Sequence, residues 1–92
     1  MYSVYSMLMA YTIRITDAAA KMIKKLDRQF QSRISRKIDE LAYEPRPTGA
    51  AKLEGAELYR VRVGDFRIVY EIHDAMLIVI IVRVGNRKEV YR

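Results

Sequence analysis

Three arginines and a tight turn carry most of the chemistry legible in this 92-residue chain. Gly64-Asp65 stands between two runs rich in β-branched and aromatic residues, Leu58 to Val63 and Phe66 to Ile72. A two-residue turn with glycine first is the pattern of a type II′ hairpin. Register then follows by counting: Val63 faces Phe66, Arg62 faces Arg67, Val61 faces Ile68 and Tyr59 faces Tyr70. Alternation puts Tyr59, Val61, Val63, Phe66, Ile68 and Tyr70 on a face for helices to cover. The other face receives Arg60, Arg62 and Arg67. Like charges directly opposite each other destabilise a sheet. A sequence that keeps Arg62 against Arg67, with only Glu71 nearby as counter-charge, is built to hold an anion. Guanidinium suits phosphate, because its planar fork bonds two oxygens at once and keeps its charge near neutrality. From Leu58 onward only Lys88 among the basic residues is not arginine. The competing reading is a solvated basic face whose long side chains cover apolar sheet.

Composition narrows the chemistry further. The absence of cysteine removes disulfides, thiolate nucleophiles and Cys-ligated zinc, and a single histidine removes His-rich metal sites. The carboxylates are scattered, with no paired set for a metal or for glycosidase work, so no metal and no cofactor is expected. The lone His73 sits with Asp74 and Ala75 at the end of the hairpin remote from Gly64 and reads as a turn residue. Seventeen Lys and Arg against eleven Asp and Glu give a formal charge of +6, the balance of a nucleic-acid or acidic-protein binder. With 51% hydrophobic and 30% charged residues the chain is globular, and its length suits one domain. The longest apolar run, Met76 to Val82, falls far short of the ~20 residues that span a bilayer. The expectation is a cytoplasmic protein with no membrane partner.

The elements that must position the arginines come next. Tyr11, Ile13 and Ile15 alternate as in a half-buried strand, and Thr16 or Asp17 can cap the helix that follows. Ala19, Met22, Ile23, Leu26 and then Phe30 recur at helical spacing, and Phe30, Ile34, Ile38 and Leu41 form a second stripe. The slip in phase places a sharp turn near Asp27 to Gln29. Pro45 and Pro47 stop the second helix, and a loop runs on through Lys52-Leu53-Glu54-Gly55. After the hairpin, Met76 to Val84 is apolar on both faces and belongs in the middle of the sheet. Asn86 to Arg92 reads as a candidate short edge strand. The fold class is α+β: a small, twisted, mostly antiparallel sheet in the order β-α-α-β-β-β, with a helical pair packed on one face.

Three stretches resemble, in order and spacing, the RelE toxins of the RelE/ParE toxin–antitoxin superfamily. They are Pro45-Arg-Pro-Thr-Gly-Ala-Ala-Lys-Leu-Glu-Gly55, Leu58-Tyr-Arg-Val-Arg-Val-Gly-Asp-Phe-Arg-Ile-Val-Tyr-Glu-Ile72 and Val84-Gly-Asn-Arg-Lys-Glu-Val-Tyr-Arg92. The resemblance covers residues 11–92 as a single domain, and residues 1–10 read as an extension outside it.

What the resemblance implies is a type II toxin that cleaves mRNA in the ribosomal A site and inhibits translation. No metal takes part: the 2′-hydroxyl attacks the adjacent phosphate and leaves a cyclic phosphate. Such chemistry needs a base, cations for the phosphorane and an acid for the leaving oxygen. By resemblance Arg67 stabilises the phosphate, Arg87 serves the leaving-group side, and Tyr91 stacks on a base or orients the nucleotide. Arg60 and Arg62 occupy positions where the family pattern has two lysines, one a candidate base. Arginine stays protonated, so Arg62 positions or stabilises and is a poor base. Arg60, Lys52, Arg83 and Lys88 are candidate substrate-binding cations, and a bulge at Gly85 would leave the parity of Arg83 and Lys88 open. The implied partners are a cognate RelB-type antitoxin, the ribosome with its mRNA, and operator DNA reached only through the antitoxin. Two alternatives stay open on the same scaffold: a ParE-like toxin that inhibits gyrase, and a non-catalytic binding module.

Overall fold

The computed structural model describes residues 10–53 and 57–86. Strand β1 (Thr12–Ile15) leads into helices α1 (Asp17–Lys24) and α2 (Arg28–Tyr43). Strands β2 (Ala51–Lys52), β3 (Leu58–Val63), β4 (Phe66–His73) and β5 (Ile78–Asn86) follow. They form one sheet in the order β1-β5-β4-β3-β2, with β1 parallel to β5 and every other pair antiparallel. The expected α+β architecture is therefore present, with one strand more than the sequence pattern showed. Ala51-Lys52, expected in a loop, pairs with Tyr59 and Arg60 as a two-residue edge strand.

The helix pair is separated without glycine or proline. Thr16 caps α1 by accepting from the Ala19 amide at 3.1 Å, while its hydroxyl donates to the Val82 carbonyl at 2.9 Å. At the other end the Gln31 amide donates to the carbonyls of Leu26 (2.9 Å) and Lys24 (3.3 Å), which satisfies acceptors that the end of α1 leaves open. The break thus falls at Lys25 to Asp27, slightly before the expected Asp27 to Gln29, and Phe30 belongs to α2 alone. Glu44 takes an extended conformation ahead of Pro45, and α2 ends there.

The helices bring Ala19, Ile34, Ile38 and Leu41 onto Val61, Ile68, Tyr70, Ile72, Val79, Ile81 and Val84. Tyr59, Val63 and Phe66 pack against that core, so the face assigned to the helices is the one they cover. Phe66 meets Phe30 with ring centroids 5.1 Å apart at 56°. Truncating a fully buried member such as Leu41 to alanine costs about 2–5 kcal/mol. Ile15, expected on the buried face of β1, is 45% exposed at the strand's end.

The hairpin is as tight as its sequence requires. Gly64 takes φ 61° while Asp65 keeps a negative φ, the combination of a type II′ turn. A Cβ at Gly64 would lie 3.3 Å from the Arg33 guanidinium, so both conformation and space favour glycine there. Arg62 pairs with Arg67, Val61 with Ile68 and Tyr59 with Tyr70, as counted from the turn. The β4–β5 register slips between Val69 and Tyr70, opposite Val82, and not at Gly85. Beyond that slip Arg83 pairs with Val69 and Gly85 with Arg67.

Candidate active site

Three adjacent strands set the charged face, which lies opposite the helices. One row across it reads Arg62, Arg67, Gly85, and the next reads Arg60, Val69, Arg83. Directly paired residues point to the same side of a sheet, so four guanidinium groups share this surface. Arg67 sits at the centre and is only 7% exposed. Arg60 is half-buried, and Arg62 and Arg83 are exposed. Gly85 places no side chain beside Arg67, so the β5 flank of that arginine stays low.

Charge balance on this face is one-sided. Among the described residues of β3, β4 and β5, the one carboxylate is Glu71, and its Oε1 lies 2.8 Å from His73 Nε2. His73 is the last residue of β4, exposed and roughly 20 Å along the strand from Arg67 at ~3.3 Å per residue. It is too far from Arg67 to act on a phosphate held there. Arg62 directly opposite Arg67 is a like-charge pair, an arrangement unfavourable on a sheet and one that an anion between them would relieve. Partial withdrawal of Arg67 from water strengthens its attraction for such an anion.

The structure brings Arg60, Arg62, Arg67 and Arg83 together. It separates Lys52 from them, because Lys52 pairs with Tyr59 and so lies on the helix side of the sheet's far edge. Arg87, Lys88 and Tyr91 lie outside the described residues, as does the candidate strand from Asn86 to Arg92 beyond Asn86 itself. Among the described residues no three of His, Asp or Glu gather as metal ligands would.

Sequence reasoning missed a second charged cluster at the far end of the sheet. Arg46 makes a bidentate pair with Asp74, Nη1 to Oδ1 at 3.2 Å and Nη2 to Oδ2 at 2.9 Å. Arg46 Nε also donates to the Tyr59 hydroxyl at 3.2 Å, and its guanidinium lies 5.2 Å from the Tyr59 ring centroid. The Tyr11 hydroxyl donates to Asp74 Oδ1 at 2.5 Å. Hydrogen bonds from Arg46 and Tyr11 hold the Asp74 carboxyl below its ordinary range, and the same bond to Asp74 pushes the Tyr11 phenol up. Tyr70, stacked on Tyr59 at 5.9 Å, donates to the Pro45 carbonyl at 2.6 Å. Burial pushes the Tyr70 phenol up to about 12. The partners are separated by long stretches of sequence, so no local motif announces this clasp.

Comparison with known proteins follows the same chain almost end to end. The model of the family described as "ParE toxin of type II toxin-antitoxin system" matches residues 13–91. Toxin RelG of Mycobacterium tuberculosis is 33% identical over 86 residues, covering 91% of this chain and 99% of the relative. The mRNA interferase toxin RelE of Escherichia coli is 31% identical over 88 residues, covering 90% and 92%. The archaeal RelE–RelB complex from Pyrococcus horikoshii superposes with a TM-score of 0.78 at 29% identity, covering 88% of this chain and 99% of that one.

Proposed function

The chain belongs to the ParE toxin family of type II toxin–antitoxin systems, as a RelE-type member, and on that premise we propose that it cuts mRNA on the ribosome. The observation that carries this reading is the Arg62–Arg67 pair, with Arg67 nearly buried among Arg60 and Arg83. A relative of matching length is named an mRNA interferase, which fits a face made for phosphate.

Chemistry on this face begins with the scissile phosphate seated between Arg62 and Arg67. The 2′-hydroxyl of the preceding ribose attacks phosphorus, the P–O5′ bond breaks, and a 2′,3′-cyclic phosphate and a 5′-hydroxyl result. Arg67 meets the charge that accumulates on the phosphorane oxygens, and its burial makes each bond stronger than in water. Arg62 holds the attacking side in line. Arg87 serves the leaving oxygen and Tyr91 stacks on a base, the roles the resemblance gives them. The cations supply electrostatics but no good base, so the ribosome must order the message and complete the proton transfer. A metal ion has no role in these steps. A RelB-type antitoxin restrains the toxin, and through it the pair reaches operator DNA.

The test is primer extension on a translated message with purified toxin. Cleavage on ribosome-bound message, poor cleavage of the same RNA when free, and loss of both with Arg67→Ala are expected. Equal cutting of naked RNA would remove the ribosome from the mechanism. An Arg67→Ala variant that still arrests growth at matched expression would remove the RNase reading and leave gyrase inhibition as the activity to assay.

A further inference from the structure

The hairpin tip carries groups on its helix side that the arginine face does not use. A pocket of about 340 Å³ lies there, small for a ligand site, between the tip and helix α2. Phe30 and Phe66 give it an aromatic wall, and both are half-buried, with ring centroids 5.1 Å apart at 56°. Arg33, Asp65 and Asn86 supply its polar groups and are exposed. The Arg33 guanidinium reaches over Gly64, where a side chain would crowd it. Arg33 and Asp65 carry opposite charges on one pocket, yet neither makes an ion pair among the described residues. Their hydrogen-bonding groups are therefore available to a ligand.

We propose that this pocket receives one unstacked nucleobase of the RNA, a reading that deepens the proposed function and rests on it. A base has flat faces that stack on aromatic rings and an edge that carries both donors and acceptors. Phe30 and Phe66 meet a face of the base. Asp65 accepts from N–H groups on its edge, Arg33 donates to edge oxygens and nitrogens, and the Asn86 amide does either. Phosphate alone fits worse, because it would meet the Asp65 carboxylate with like charge and leave both rings uncovered. An acidic peptide meets the same carboxylate, and a basic one meets Arg33.

The pocket lies next to the central arginine row. Phe66 pairs with Asn86 and Arg67 with Gly85, so adjacent rows, ~3.3 Å apart along the strands, serve the two faces of the sheet. An RNA strand with its phosphate at Arg67 brings a neighbouring base to the pocket by rounding the tip at Gly64-Asp65. A base of the message beside the cut has that connection built in, and a base of ribosomal RNA offers the same chemistry from outside. In the first case the pocket selects which sequence is cut. In the second it sets how firmly the protein sits on the ribosome.

The probes are the four ribonucleoside 5′-monophosphates, titrated into the full chain and followed by NMR of backbone amides and aromatic rings. Signals of Phe30, Arg33 and Phe66 shift with a nucleotide and stay still with ribose 5-phosphate, which carries the phosphate without the base. Phe30→Leu keeps an apolar side chain on α2 and weakens the nucleotide by about fivefold or more. Asp65→Asn, at an exposed turn position, exchanges a carboxylate for an amide and reorders the four nucleotides. On ribosome-bound message, a message base makes both variants change which codons are cut, whereas a ribosomal base makes them slow every codon alike. Nucleotide binding is read without ribosomes, so failure of the pocket and failure of the RNase reading are separately visible. No shift at the pocket, an equal shift with ribose 5-phosphate, or variants that keep both nucleotide affinity and cutting pattern overturn the proposal.

Discussion

The two ends of the sheet handle arginine in opposite ways. At the far end, Arg46 meets Asp74 through two nitrogens, the Tyr59 hydroxyl through a third, and the Tyr59 ring as a cation–π surface. Near the hairpin tip, Arg62 meets Arg67, and the nearest carboxylate on these strands has turned to His73. Arg46 is almost half-exposed yet locally neutralised, whereas Arg67 is nearly buried within a cluster of like charge. The first arrangement lowers the energy of the folded chain by itself. The second sets two cations directly opposite each other, an unfavourable pairing that a bound anion would relieve.

The largest effect that should separate the two ends is on cleavage. Arg67→Ala is expected to slow cutting of ribosome-bound message by about 10²–10³, the usual loss for one preorganised electrostatic contact. Arg46→Ala should leave the single-turnover rate within about twofold once both proteins are shown folded by NMR. A rate loss at Arg46 comparable with that at Arg67 would erase the distinction.

Stability should respond in the reverse sense. Arg46→Ala removes the ion pair and the ring contact and is expected to cost about 1–2 kcal/mol by thermal or urea unfolding. Asp74→Asn gives the pH signature. The Asp74 carboxyl is held below its ordinary range in the folded chain, so its contribution is full above the unfolded value and fades as pH falls through the folded one. The Asn variant should therefore melt lower at neutral pH and converge with the native chain in acid. Parallel curves across that range would show that Asp74 does not stabilise the clasp through its charge.

A smaller effect sharpens the same comparison at high pH. Tyr70 carries a phenol raised to about 12, against about 10 in an unfolded chain, so stability falls as pH rises through that interval. Tyr70→Phe is expected to cost about 1 kcal/mol at neutral pH for the lost bond to Pro45 and to flatten the alkaline limb. Urea unfolding between pH 8 and about 12 reads both.

How much of this was legible depended on how local each feature was. The β3–β4 register followed from a two-residue turn, because one short loop fixes every pair behind it. The helix stripes followed from spacing, and the central place of β5 followed from its apolar character on both faces. The burial of Arg67 did not follow, since it needs the neighbours on both flanks and knowledge that one of them is Gly85. The parity of Arg83 turned on a slip opposite Val82 that leaves no mark in composition. Lys52, read as a loop residue and a candidate substrate-binding cation, belongs to a two-residue strand that sends it to the other side. The clasp joins Tyr11, Arg46 and Asp74 across the whole chain, beyond the reach of any motif. The candidate roles of Arg87, Lys88 and Tyr91 rest on resemblance alone, because those residues lie outside the described ones.

The smallest effect is also the most direct test of an anion site between Arg62 and Arg67. Arg62→Ala removes one of two facing cations from an exposed position, a change of about 0.5 kcal/mol or about 2–4 °C. The measurement is the melting temperature of the native chain and of Arg62→Ala at low ionic strength, each titrated with inorganic phosphate. The variant should start higher, and the native chain should close the gap as phosphate binds its folded state. A variant that melts lower than the native chain without phosphate, with no convergence on adding it, would make Arg62 a structural residue and contradict the anion site.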